Sequence, residues 1–442
     1  MARGQLICLA ASFLAITTSS VTAQSGSPAN GPPSSVLQAC AASMDGQLPT
    51  PTPPGFSWNG VVRRYYVAAE EVNWDYAPTG WDNWLGVPLE KSPRVTMSGA
   101  LQYGTKWEKA LYRGYTDSSF TNHSQEPLWQ DTKYAEGADY PNNTAPGQNV
   151  VEPLAEAVHP ADAGVPPNDC VVYKWMVPSL AGPNFGEPAK VHSYHSYVAM
   201  QQDTNAGLIG PQIVYAPGMM NSTMTKYREI PLLYMIYDEG DSWLSSVNAA
   251  KLQSQGQTSS TRSTGTGAPP SIGSYISHGQ SQSQGGQPSS GQGQGQGGGP
   301  SFGTIDTNNL WSGNQTVWQP QVTNLAGSGQ FQGASSFYTM NGYIFANNPT
   351  FDMCLNDNVI WYVNAYGSAS HVFHMHGNGV MYNGGGYPAV SINDGVGKTL
   401  YMNATGQGKW QVICHVNNHH SMGMVSNYQV WPAGQCPLPS LV

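Results

Sequence analysis

Charge is the scarcest property of this 442-residue chain, with Asp, Glu, Lys and Arg making up only 10% of it. Lys and Arg number 17 against 26 Asp and Glu, for a formal net charge of −9. No basic footprint exists to follow a phosphate backbone, which argues against a nucleic-acid partner. Long apolar runs are lacking as well. The one at residues 6–16 is too short to span a bilayer, and no later stretch reaches that length. Extended helical patterning is also missing, and no helix beyond a turn or two is demanded. What fills the chain instead is Gly (51), Pro (33), Tyr (24) and Trp (13), a composition suited to short strands joined by many turns.

The short apolar run has a place of its own. Arg3 precedes it, and the small-residue end Val21, Thr22, Ala23 follows it, which is the order of a secretory leader. Residues 1–23 are therefore read as a signal peptide, and the protein as secreted. N-x-S/T sequons at Asn122, Asn142, Asn221, Asn314 and Asn403 agree with a secreted glycoprotein. Cys8 leaves with the leader, so Cys40, Cys170, Cys354, Cys414 and Cys436 remain, an odd set for an oxidising compartment. If Cys414 is a metal ligand, the other four can form two disulfides. Cys354 and Cys436 bracket the metal segment, and Cys40 with Cys170 is the remainder.

Composition divides the chain further. Residues 24–58 are rich in Pro and Ser, and residues 59–248 turn to short β runs bounded by Gly, Pro and Asn. Residues 249–305 collapse to Gln, Ser, Gly and Thr, too polar to offset the entropy of ordering, and read as a disordered linker. Residues 306–435 resume the β pattern. The expected fold class is all-β, with two Greek-key β-sandwich domains joined by the linker.

The chemistry is concentrated near the C-terminus. Cys414, His419 and Met424 fall within one short segment, and His371 lies in a second histidine group upstream. A thiolate, two imidazoles and a distant thioether form the ligand set of a blue-copper site. The blander reading of Cys414 is a buried small hydrophobe. In a strand, His374 and His376 share one face while His371 takes the other, and His415 likewise points away from Cys414. These three are candidates for a second metal function, or ordinary polar residues. His192 and His195 are three apart and cannot share a strand face, so one of them could face a metal. His123, His159 and His278 sit in loop-like context, and His420 is read as a solvated neighbour of His419.

Beyond single residues, the chain resembles the ceruloplasmin–hephaestin type of multicopper oxidase, built from plastocyanin-like cupredoxin domains. The resemblance is carried by residues 65–78, 173–183, 206–211, 237–243 and 340–345, and by the copper loop. It implies copper as cofactor, with a type 1 copper taking single electrons from a small reductant. It further implies a three-copper cluster between domains that reduces dioxygen. Matched residue by residue, His371, Cys414, His419 and Met424 are the type 1 set, and Cys354 with Cys436 matches the family disulfide. His374, His376, His415 and His195 match type 2/type 3 positions.

Departures accompany the match. Ile413 stands where the family's His-Cys-His begins, Tyr197 where a second histidine of the first domain belongs, and a His-Pro-His-Gly element is missing. About two strands of the family pattern are absent between Phe120 and Asp131, so the first domain is expected to be incomplete. A neighbouring subunit, as in two-domain members that assemble as trimers, could supply missing ligands. Asn418 and the neutral residues 367–370, with Gly333 and Tyr338 where the family has Glu and His, weaken an iron-oxidising assignment against a phenolic or other organic reductant. The leading expectation is a secreted oxidase of this type, with electrons entering through an exposed edge of His419. The alternative is a mononuclear blue-copper carrier or copper-binding protein without oxidase activity. A third is an extracellular glycoprotein that keeps one copper for structure.

Overall fold

A computed structural model describes residues 4–13, 34–43, 58–92, 101, 103–122, 165, 170–177, 181–196, 198–254, 335–438 and 441. The tract from 255 to 334, the junction from 123 to 131, His123, His159, His278, Tyr197 and the sequons at Asn142 and Asn314 lie outside the described residues. Asn122, Asn221 and Asn403 are exposed.

The N-terminal strands are β1 (Gly4–Phe13), β2 (Trp58–Asp75), β3 (Trp81–Asp82), β4 (Val87–Pro88), β5 (Lys106–Tyr115), β6 (Cys170–Val177), β7 (Ala189–His195), β8 (Ile209–Tyr215) and β9 (Arg228–Asp238). Those that follow are β10 (Ser336–Met340), β11 (Phe351–Cys354), β12 (Asn358–Tyr366), β13 (His371–Met375), β14 (Val380–Tyr382), β15 (Gly385–Tyr387), β16 (Ala389–Ile392), β17 (Val396–Asn403), β18 (Gly408–Cys414) and β19 (Val425–Trp431). Helices among the described residues are α1 (Ser34–Ser43), α2 (Met200–Ala206), α3 (Met220–Lys226), α4 (Ser245–Ser254) and α5 (Asn417–Ser421). The fold is all-β, as expected.

Two sheets form the C-terminal sandwich, one ordered β10-β9-β12-β17-β14-β15 and the other β11-β19-β18-β13-β16. Their inner faces meet in one core that includes Trp361, Phe373, Leu400, Val412 and Tyr428. β12 is buried on both faces and reads as an unbroken apolar run for that reason. Its Val359, Trp361 and Val363 face the sandwich core, and Ile360 and Tyr362 face a second cluster with Val191 and Ile213 of the N-terminal region. The N-terminal region thus packs on the outer face of the six-stranded sheet.

The composition break at 249 is not where the hydrogen bonding divides. β9, inside the region read as 59–248, pairs parallel with β12 and antiparallel with β10. Alternation explains it: Ile230, Leu232 and Tyr234 enter the sandwich core, while Leu233, Met235 and Tyr237 enter a cluster with Trp74 and Trp107. Order also runs past 249, because Ala249 and Leu252 of α4 are buried against that cluster. The Asn248 amide completes the seam, accepting from the Glu108 N–H (2.8 Å) and donating to its carbonyl (3.1 Å). A ten-residue helix here was not anticipated, since the polar composition hides its four buried positions, Ser245, Asn248, Ala249 and Leu252.

β1 lies between β2 and β6, parallel to the first and antiparallel to the second. The run read as leader therefore fills a strand position in the N-terminal sheet, whose order is β5-β2-β1-β6. Both disulfides anticipated from the cysteine count are present, Cys40–Cys170 and Cys354–Cys436. Cys414 is free and buried. Trp361 is fully buried at the centre of the sandwich. Trp361→Ala should lower unfolding free energy by about 3–5 kcal/mol in chemical denaturation.

Candidate metal centre

Strand register brings the site together. On β13, His371, Phe373 and Met375 are buried in alternation, and Phe373 pairs with Cys414 at the end of β18. After Cys414 the chain leaves the sheet, makes the short α5, and returns at Met424. The return is fixed by backbone bonds from the Cys414 N–H to the Met424 carbonyl (3.1 Å) and from the Met424 N–H to the His419 carbonyl (3.0 Å). Gly423 makes the reversal possible: its φ is +122°, and a Cβ there would lie 2.9 Å from the Ile344 Cβ. His371, Cys414 and His419 offer ligand atoms all within 4.8 Å of one another, and all three residues are buried.

The fourth donor joins them. Met424 is fully buried, with its Sδ 3.2 Å from His371 Nδ1. Cys414 Sγ lies 3.7 Å from His371 Nδ1 and 3.5 Å from His419 Nδ1. A metal–sulfur bond of about 2.3 Å and a metal–nitrogen bond of about 2.0 Å place tetrahedral ligands roughly 3.5 Å apart, so this set fits one ion with little movement. The donor types, one thiol, two imidazoles and one thioether, suit copper.

Neighbours hold the donors in a ligating state. His371 Nε2 donates to the Tyr366 carbonyl at 3.3 Å, which leaves the Nδ1 lone pair facing the centre. Its pKa is pushed down to about 3, first by burial and then by the His419 imidazole. Burial foremost, with His420 beside it, lowers His419 to about 4. Burial raises the Cys414 thiol, opposed by backbone N–H groups, that of Val372 reaching Sγ at 3.4 Å. The Tyr234 ring stacks on His371 at 5.5 Å, and its hydroxyl donates to the Ile413 carbonyl at 3.0 Å.

The second histidine group is partly assembled. His374 lies 5.2 Å from His376 and 4.9 Å from His415, ring centroid to centroid. All three occupy the face opposite Cys414, with His376 and His415 exposed. His376 is lowered by burial and then by His374 and His415. His195, on β7, has its ring 5.9 Å from Tyr366 and its Nδ1 2.8 Å from the Ser196 carbonyl. These four do not form a group with ligand atoms within 4.8 Å of one another, among the described residues. Ile413 is buried where a cluster histidine is absent.

Two expectations change. His419 is only 5% exposed, so it presents no open edge to solvent. His420 is not simply solvated: it is half-buried, its ring 5.6 Å from that of Trp84. Tyr338 covers His419 from the other strand, centroids 5.2 Å apart. Sequence spacing gave no sign of Trp84 or Tyr234, which reach the site from distant parts of the chain, and Tyr338 stood out only as a departure from the family pattern.

Residues 308–434 match the multicopper oxidase family model. Ceruloplasmin of Mus musculus is 24% identical over 406 residues, covering 84% of this chain and 32% of that protein. Hephaestin of Mus musculus is 25% identical over 415 residues, covering 86% and 30%. The chain thus spans about a third of the length of the curated relatives it matches. Among solved structures, a blue copper oxidase from Nitrosomonas europaea is 16% identical, covering 62% of this chain and 63% of its own, with a TM-score of 0.34. The match over residues 308–434 is to the multicopper oxidase family, whose members bind copper.

The depressed histidine pKa values set a pH dependence for the metal-free protein. Unfolded histidine takes up a proton near pH 6.5, whereas His371 and His419 in the folded chain resist until about pH 3 and 4. The unfolded state binds more protons throughout that window, so stability falls as pH falls from about 6.5 toward 4. Denaturation of the metal-free chain across this range should show that loss. The loss should shrink in a His371→Phe, His419→Phe double variant.

Proposed function

We propose that this chain is a copper-dependent oxidoreductase, secreted, that takes single electrons from a small reductant and delivers them toward dioxygen. The observation that carries this reading is the convergence of His371, Cys414, His419 and Met424 at ligand separation in a buried pocket. Copper held there would supply one-electron chemistry by cycling between its cupric and cuprous states.

The protein's own part is to hold, shield and connect. The depressed histidine pKa values keep both imidazoles neutral and available at neutral pH. Burial excludes water from the donor set. Cys414 and His415 are adjacent in the chain but face opposite sides of β18's end, so one peptide bond links the buried pocket to the face bearing His374, His376 and His415. Those three, with His195, are the proposed type 2/type 3 ligands, completed by a neighbouring subunit in a trimer.

In this reading residues 1–23 are a leader, whose removal would take β1 from between β2 and β6, and 59–248 are a first, incomplete cupredoxin-like region that lends β9 to the second. Residues 249–305 connect it to 306–435, with α4 already ordered at their start. No helix among the described residues is long and apolar enough to cross a membrane.

A second reading has its own support. The second histidine group is only partly assembled and Ile413 is buried beside it, which favours a mononuclear blue-copper carrier. Copper loading separates the two. The oxidase reading expects an intense blue band, more than one copper per chain in the assembly, and oxygen uptake with a phenolic reductant. One copper per chain with no oxygen uptake selects the carrier. Cys414→Ser should abolish the blue band in either case, and its survival would remove both.

A further inference from the structure

β9 begins with a carboxyl buried away from the metal centre. Glu229 is 0% exposed, and its partners Tyr215 of β8 and Tyr362 of β12 belong to the apolar cluster that joins β7 and β8 to the six-stranded sheet. Both hydroxyls donate to one oxygen, Oε1, at 2.8 Å from Tyr215 and 2.5 Å from Tyr362. The other oxygen, Oε2, is buried with no hydrogen-bond partner among the described residues. No cation pairs with Glu229 among those residues either. Arg228, next along β9, pairs instead with Asp357 at 2.9 Å. The remaining groups that face this cluster are phenols, Tyr401 of β17 beside Tyr362 and Tyr65 of β2 beside Tyr215. Beyond Tyr401 lies the half-buried Glu187, which adds a second negative charge and not a counter-charge.

A carboxylate in this place would be an unpaired buried charge with one oxygen left dry, which is costly. The neutral acid avoids that charge. Burial accordingly pushes the Glu229 pKa up to about 7, with the two tyrosine hydroxyls acting in the opposite direction. Burial also raises both tyrosines, which stay hydroxyl donors. The other side-chain ties from β7 to the sheet come from groups that do not titrate near neutrality. The Val191 N–H donates to Thr399 Oγ1 (2.9 Å), the Asn364 amide to the His192 carbonyl (3.2 Å) and the Tyr401 hydroxyl to the Ala189 carbonyl (3.2 Å), and the Ser193 and Tyr366 hydroxyls are bonded to each other. The Tyr215–Glu229 bond is the tie whose strength depends on a proton.

We propose that Glu229 is a proton-controlled latch: its protonated carboxyl holds the β7–β8 hairpin against the six-stranded sheet, and loss of the proton loosens the hairpin. In the loosened form water reaches both carboxyl oxygens, and the pKa returns toward its ordinary 4.5. The closed form therefore binds more protons between about pH 4.5 and 7, so opening grows as pH rises through that window and levels off above it, by up to roughly two orders of magnitude. The sign is opposite to the dependence set by His371 and His419, so a local measurement is needed to separate them. β7 ends in His195, so the latch also governs how firmly that proposed ligand is held.

Hydrogen exchange of the metal-free full chain, read peptide by peptide and corrected for its intrinsic pH dependence, tests the latch without copper. In the natural chain, protection of β7 and β8 should fall by up to about a hundredfold between about pH 4.5 and 7 and then level off. Protection of β19, in the other sheet, should not follow that fall. Glu229→Gln keeps the shape without the charge and should leave β7 and β8 equally protected across the range, with circular dichroism showing the fold retained. Tyr215→Phe removes a donor to the carboxylate and should extend the fall to higher pH. A flat profile in the natural chain overturns the latch, as does a fall that survives in Glu229→Gln. If Glu229→Gln does not fold, Tyr215→Phe decides, and an unmoved fall overturns the proposal.

Discussion

A thiol, two imidazoles and a thioether share a pocket from which water is excluded, and this burial governs the end of the chain. Each donor would be costly to bury alone. His371 is satisfied on one nitrogen by the Tyr366 carbonyl, and Cys414 accepts from the Val372 N–H, but the remaining lone pairs face one another. They are arranged at separations that a single metal ion bridges. The sheet register, the left-handed Gly423 and the return bond at Met424 all serve that convergence. The sandwich core supplies the apolar wall behind it.

The N-terminal region has a buried polar feature of its own that ties it to β9. Lys109 and Glu239 form an ion pair with side chains 2% and 0% exposed. The lysine also donates to the Asn205 carbonyl (2.6 Å) and sits 3.9 Å from the centroid of the Tyr237 ring, while the Tyr76 hydroxyl donates to Glu239. Burial pulls the lysine pKa down and pushes the carboxyl pKa up, and each opposes the other's shift by its charge. Such a pair adds little net stability, yet removing one partner strands the other in the interior. Together with the Asn248 seam it fixes β5 against β9 and α4.

The legible part of this protein is local. Three of four donors lie between Cys414 and Met424, so their residue types and spacing alone point to blue copper, and strand alternation places His374 and His376 opposite His371. The parts that escaped are non-local. β9 reads as part of the first region because composition changes only after it, but its alternating faces serve two cores separated by that change. α4 is masked by its polar composition, in which Ser245 and Asn248 are buried along with the apolar Ala249 and Leu252. The shielding of His419 comes from Tyr338, and the placement of His420 from Trp84, more than 300 residues away in sequence. No local pattern could announce either contact. The expectation of an incomplete first domain rests only on departures from a family pattern at a junction outside the described residues, and β1 occupies a strand position in the N-terminal sheet.

The central claim is that one copper is held by Cys414, His371 and His419, with Met424 at longer range. X-ray absorption at the copper edge of the loaded chain tests it most directly. The account predicts one short copper–sulfur bond, two imidazole nitrogens and a weak distant sulfur, with the short sulfur lost in Cys414→Ser. A first coordination sphere of nitrogen and oxygen alone, with no sulfur in the natural chain, would contradict it.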